Sequence, residues 1–264
     1  MPYKILYTAD LHGNKEYYKK LIAKSKDAEI KAVVIGGDLC PKGGPTVEDA
    51  VKAQKEFLKN FFIPELSKIK KEVFFIMGND DFGVNETILK NANENLKYIN
   101  KKRFNLFNKS IVGYSFVNPT PFRLKDWEKF EDNKKEAPAQ LHDYEIRTVK
   151  NEQGTIKEDL QTFVKLSNPK KTIYVIHAPP SNTKLDIITS GIHVGSKAIS
   201  EFIEKEQPYL ALHGHIHESP QMSGSFIDRI GKTACINVGS SYPENKLNSI
   251  IIDIGSLDLK YIEL

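Results

Sequence analysis

Short runs of apolar and β-branched residues alternate along the chain with longer segments of helical periodicity, the pattern of an α/β fold. The first run, Lys4 to Thr8, leads to a turn at His12-Gly13-Asn14 and a helix through Tyr17, Leu21 and Ile22. The second, Ala32 to Ile35, ends in Gly36-Gly37-Asp38. A long helix is expected from about Thr46 through Ala50, Phe57, Leu58 and Phe61, with Thr46 and Asp49 as its start signal. The third run, Val73 to Met77, ends in Gly78-Asn79. These apolar runs are uninterrupted, so the strands are expected to be covered on both faces.

From about Leu96 the texture changes. Phe104 to Phe107 and Ser110 to Val117 predict a strand pair across Asn108-Lys109. The stretch 118–168 is polar, with one helix expected near Ile156 to Leu166, and reads as an excursion inserted into a single domain spanning 1–264. Trp127 and Phe130 are expected to pack it onto the main body. Order returns with a strand from Thr172 to Ile176 ending in His177, then a helix from about Ser196 to Glu206. A strand from Tyr209 to Leu212 follows, ending in His213-Gly214-His215-Ile216-His217. The tail holds four short strand patterns: Phe226 to Ile230, Thr233 to Asn237, Ser249 to Ile254 and Leu257 to Ile262. Gly231-Lys232 and Gly255-Ser256 make these two hairpins.

The polar residues that close these runs change the picture. Asp10 and His12 follow the first strand, Asp38 the second and Asn79 the third, while His177, His215 and His217 close two later ones. In open α/β sheets functional groups gather beyond the carboxyl ends of strands, so these donors are expected to converge. Imidazole nitrogen with carboxylate oxygen suits a pair of divalent transition ions, Mn, Fe, Zn or Ni, better than Ca. Asp38 is the best placed to bridge two ions, since Gly36 and Gly37 before it allow close approach. The outer residues of Asp10-Leu11-His12 and of His215-Ile216-His217 are expected to share one face of an extended chain.

Taken together, Asp10-x-His12, Gly37-Asp38, Gly78-Asn79, His177 and Gly214-His215-x-His217 resemble the motifs of the calcineurin-like metallophosphoesterase superfamily. The resemblance covers Ile5 to about Ser241 and is nearest to the small prokaryotic phosphoesterases related to the Icc cyclic-nucleotide phosphodiesterases. Asn237-x-Gly239-Ser240 is similar to their closing Asn-Pro-Gly-Ser, with Val238 in place of proline. The resemblance implies a four-layer α/β/β/α sandwich of two mixed sheets. It implies that Asp10, His12 and His217 hold one metal, that Asn79, His177 and His215 hold the other, and that Asp38 bridges them. It further implies hydrolysis of phosphodiesters or phosphomonoesters, nucleotides and cyclic nucleotides among them, by attack of a metal-bridging hydroxide.

One departure bears on the chemistry. Where the family often has a histidine after the motif's asparagine, this chain has Asp80, followed by Asp81. Asp80 joins Asp38 as a candidate catalytic carboxylate, but two nearby cations hold a carboxylate's pKa down. Alkyl leaving groups are therefore expected to turn over slowly beside aryl ones. Asp81 is expected to have a supporting or structural role. The run Gly37-Asp38-Leu39-Cys40 lacks the Val-Asp-Arg-Gly continuation of Ser/Thr protein phosphatases, and Cys40 is expected to be buried beside the site rather than nucleophilic. His213 is either a support to the metal motif or a core histidine. Candidate substrate contacts are Asn79, Arg123 toward a phosphate, and Ser196, which with His193 opens a helix whose N–H groups can receive an anion.

Composition narrows the setting without changing the reading. Of 264 residues 40% are hydrophobic and 27% charged, with a formal charge of +4, as in a soluble globular protein. No run approaches the ~18 apolar residues of a membrane span. The strand pattern starts at the N-terminus, leaving no room for a signal peptide. Two cysteines, Cys40 and Cys235, fit a reducing, cytoplasmic setting. Lysine-rich stretches are broken by acids and apolar residues, so a small phosphorylated substrate is the expected partner and nucleic acid is not. Homo-oligomerisation stays open. Two competing functions share the fold: a catalytically weak or inactive metal-binding scaffold, as in the retromer subunit, and a nuclease like the double-strand-break repair exonucleases.

Overall fold

The uninterrupted apolar runs become strands buried on both sides, as β1 (Lys4–Thr8) shows. Successive side chains of a strand point to opposite faces, so Ile5 and Tyr7 enter one core and Leu6 another. A computed structural model describes residues 3–90, 92–132, 138–241 and 244–264. Met1, Pro2 and residues 133–137 of the expected excursion lie outside the described residues.

β1 pairs in parallel with β2 (Ile30–Ile35), which is followed across the sheet by β3 (Glu72–Phe75) and β4 (Leu96–Tyr98). In the second sheet β5 (Arg103–Leu106) lies antiparallel on β6 (Lys109–Tyr114). β7 (Thr172–Ile176) and β8 (Leu210–His213) then run parallel to β6. The two C-terminal hairpins form as expected but part company. β9 (Ile227–Ile230) and β10 (Thr233–Asn237) complete the second sheet, while β11 (Asn248–Asp253) and β12 (Leu259–Glu263) return to the far side of β1.

Each six-stranded mixed sheet packs on the other through its inner face, where Tyr7, Val34 and Phe74 share a core with Ile111, Val175 and Ile236. Helices cover the outer faces. Over the first sheet lie α1 (Lys15–Ser25) and α2 (Val47–Phe57), where Phe62 packs edge-on to Tyr18 and Phe75. The expected long helix instead passes from α2 through a π-turn, Leu58–Phe62, into α3 (Ile63–Leu66). A short α4 (Glu86–Lys90) follows β3. Over the second sheet lie α5 (Ile156–Leu166) and α6 (Lys197–Glu206), with Phe163 against Tyr114 and Tyr174, and Phe202 edge-on to Tyr174. α7 (Ser219–Ser223) follows the histidine-rich loop. The result is the four-layer α/β/β/α sandwich. Trp127 does anchor the excursion, burying its ring against Phe116 and donating from Nε1 to the Asp81 carbonyl at 2.8 Å. Phe130 does not follow it inward and is 37% exposed. No helix among the described residues is long and apolar enough to cross a membrane.

Candidate metal centre

The carboxyl ends of β1, β2, β3, β7 and β8 meet at one edge of the sandwich, and every expected ligand lies there. The loop after β1 is laced to the loop after β2 by backbone bonds, Asp10 N to Gly37 O at 3.1 Å and His12 N to Asp38 O at 2.8 Å. The expected extended geometry of the two ligand pairs is not what forms. Asp10, His12, Asp38 and His215 have φ of 57°, 43°, 51° and 70°, so the ligands reach the cavity through left-handed turns. Such backbone costs roughly 1–2 kcal/mol per non-glycine residue and collects at functional sites. Gly78 makes the approach possible, since a Cβ there would strike both Asp38 Oδ1 and His177 Nε2.

The donors fall into two groups. On one side His12 Nε2 and His217 Nε2 are 3.0 Å apart, with Asp38 Oδ2 3.7 Å from His12 and Asp10 Oδ1 3.7 Å from His217. Ligand atoms of Asp10, His12, Asp38 and His217 all lie within 4.8 Å of one another. On the other side Asn79 Oδ1 is 3.1 Å from His177 Nε2 and 2.6 Å from His215 Nδ1. Asp38 Oδ1 is 3.5 Å from His177 Nε2. Asp38 thus turns one oxygen to each group.

Second contacts fix these side chains. His177 Nδ1 donates to the Gly36 carbonyl at 2.8 Å, which leaves Nε2 for the site. The His215 backbone N–H donates to Asp10, and the Asp80 N–H donates to Asp38 Oδ1 at 2.9 Å. Asn237 Nδ2 donates to the carbonyls of Ile216 and Leu185, both at 3.0 Å, and so braces the histidine loop. Asp81 is fully buried and accepts from the N–H groups of Leu39, Cys40 and Gly78 at 3.0, 2.8 and 2.9 Å, tying the loops that carry Asp38 and Asn79.

The electrostatics favour cations. Burial pushes the Asp10 and Asp38 carboxyls upward, but His217 and His177 outweigh it and hold both below the usual carboxylate range. Burial also disfavours a charged His177, yet Asp38 and Asp10 lift it to about 9. Desolvation lowers the part-buried His12 and His215 to about 4 and about 3, so both present neutral nitrogens at pH 7. The residues fit divalent ions on these grounds: two carboxylates whose partners are imidazoles, and neutral nitrogens converging on a point. Two nitrogens each about 2.1 Å from one cation at right angles are themselves about 3.0 Å apart, which matches the His12–His217 separation.

Other expected residues have plainer surroundings. Asp80 is raised by burial and by Asp38, but its oxygens are engaged by Lys42 Nζ at 2.6 Å and Asn79 Nδ2 at 3.2 Å. Lys42 was not singled out in the sequence, because nothing local distinguishes it from other surface lysines. Ser196 caps α6 and donates to Glu131 at 2.8 Å. Glu131 also accepts from the N–H groups of Lys197 and Ala198, so the anion at this helix start is the chain's own. The Arg123 guanidinium lies over the Tyr144 ring at 4.3 Å rather than on the metal ligands. His213 is a core histidine, with Nδ1 against the carbonyls of Ile176 and Ala178. Cys40 and Cys235 are fully buried; burial first, then Asp81, raises the Cys40 thiol, and burial pushes Cys235 to about 12. Neither thiol is therefore expected to react with a disulfide reagent at pH 8 until denaturant is added. Fast labelling of native Cys40 would contradict its exclusion as a nucleophile.

Residues 3–219 match the family described as calcineurin-like phosphoesterase. An uncharacterized protein of Methanocaldococcus jannaschii is 31% identical over 260 residues, 95% of each chain. A solved structure from Thermus thermophilus superposes with a TM-score of 0.65 at 14% identity, covering 100% of this chain and 99% of that one. A Plasmodium protein, described as the anchor in the inner membrane complex, gives 0.50 at 14% identity, covering 99% and 88%. At these identities the structures share the fold.

Proposed function

Since the chain belongs to the calcineurin-like phosphoesterase family, we propose that it hydrolyses phosphodiesters or phosphomonoesters, nucleotides and cyclic nucleotides among them, with two divalent transition ions. The observation that carries this reading is the division of Asp38, whose Oδ2 faces His12 and whose Oδ1 faces His177. Asp10, His12 and His217 would hold one ion, and Asn79, His177 and His215 the other. Such a pair, when bound, supplies an activated water and neutralises charge developing on the phosphoryl oxygens. The chain's own part is to fix the donors. Gly36 O sets the His177 ring, Asp10 receives the His215 backbone, and Lys42 with Asn79 engages Asp80. The partner expected is a small phosphorylated molecule rather than a nucleic acid.

A screen of nucleotides and phosphodiesters, with bis(p-nitrophenyl) phosphate included, tests the proposal. Manganese-loaded protein is expected to hydrolyse the nitrophenyl ester and some of the nucleotides, and chelation is expected to abolish both. No hydrolysis of any ester by protein shown to carry metal would sink the proposal and favour the scaffold reading.

A further inference from the structure

A cavity of about 600 Å³ opens beside the metal centre, with His215 and Ile216 on its wall. That volume suits a small organic group. Pro119 and Phe122 of the excursion form other parts of the wall, together with His193 and Val194. Phe122 is 47% exposed. Apolar side chains thus share the wall with one candidate metal ligand and with the charged Glu131, Lys197 and Glu201.

His193 sits on a short hairpin in the loop that starts at His177, closed by the Ile187–His193 bridge and the bond from Ile188 N to Ile192 O at 3.0 Å. Its Nδ1 is 2.7 Å from Asp186 Oδ1. Asp186 is fully buried and also accepts from the backbone N–H groups of Asn182, Thr183 and Gly195 at 3.1, 2.9 and 3.0 Å. A carboxylate held by so many donors acts as acceptor, so His193 Nδ1 carries the hydrogen and Nε2 is the open nitrogen. The hairpin is held from outside as well: Asn118 Nδ2 donates to Val194 O at 3.0 Å, and Ile187 N donates to Ser219 Oγ at 3.1 Å. A fixed imidazole on the wall of a cavity shared with a metal ligand has the makings of a general acid.

We infer that His193, oriented by Asp186, is the catalytic proton donor, and that this cavity seats an alcohol leaving group of up to nucleoside size. The inference rests on the phosphoesterase reading. Water oxygen bonds to phosphorus while the ester P–O bond breaks, leaving its electron pair on the departing oxygen. That oxygen takes the proton from Nε2 of the His193 imidazolium. The proton released by the attacking water passes to solvent, and the imidazole regains one from solvent. Asp80 is already engaged by Lys42, and the slow turnover of alkyl esters expected from Asp80 alone belongs to the enzyme lacking His193.

The test uses p-nitrophenyl, phenyl and alkyl esters of one nucleoside 5′-phosphate with metal-loaded full-length protein. His193→Ala and His193→Gln are expected to lower kcat on the alkyl ester by about 10²–10³-fold while changing the p-nitrophenyl ester only a few-fold, since nitrophenolate leaves unprotonated. His193→Gln keeps an amide toward Asp186 and guards against a misfolded alanine variant. Added imidazole is expected to restore the alkyl ester in His193→Ala, and Asp186→Asn to show the same alkyl-selective loss at wild-type metal content. An equal loss on all three esters, or no loss, with metal content unchanged, overturns the role of His193 and leaves the phosphoesterase reading standing. Failure of the metal-loaded wild type on every ester overturns both.

Discussion

Replacing Asp38 by alanine is expected to lower hydrolysis of bis(p-nitrophenyl) phosphate on the order of 10³-fold or more in metal-loaded protein. Asp38 faces both donor groups with separate oxygens, 3.7 Å from His12 and 3.5 Å from His177. The change also removes the acceptor for the Asp80 N–H and the carboxylate that most lifts His177. The fold is expected to survive it, because the residue sits in a loop beyond β2 and adds nothing to either apolar core. Activity and circular dichroism measured together separate the two effects. A variant retaining a tenth of wild-type activity would deny Asp38 the bridging role.

Asp81→Ala is expected to act through stability instead. The change strands the buried N–H groups of Leu39, Cys40 and Gly78, and each unsatisfied group costs about 1–3 kcal/mol. With partial relaxation, a loss of about 3–5 kcal/mol is expected in denaturant unfolding. Activity is expected to fall as well, because the freed loops carry Asp38 and Asn79. A loss below about 1 kcal/mol would show that these loops do not depend on the Asp81 carboxylate.

The parts legible in the sequence are those governed by local periodicity and burial. β1, β7, β10 and α5 fall on the residues their patterns mark, because a doubly covered strand must be apolar throughout and α5 carries a Thr155–Glu158 capping box. The candidate ligands could be placed together for the same reason, since each closes such a strand. β4, three residues with one half-exposed lysine, is too short to make a pattern, and the π-turn at Leu58–Phe62 keeps the helical hydrophobic spacing. Which sheet each C-terminal hairpin joins depends on contacts far along the chain. The left-handed positions at Asp10, His12 and His215 are held by non-glycine residues, so residue type does not mark them. Glu131 at α6 and Lys42 with Asp80 likewise arise only when separate segments meet, and Asp186 with His193 only when their shared loop folds back on itself.

Metal stoichiometry tests a two-ion centre bridged by Asp38 most directly. Titration of metal-free protein with manganese, read by mass spectrometry of the native chain, is predicted to saturate at two ions per chain in the wild type and at one or fewer in Asp38→Ala. Saturation of the wild type at a single ion, or two ions retained in Asp38→Ala with unchanged affinity, would contradict it.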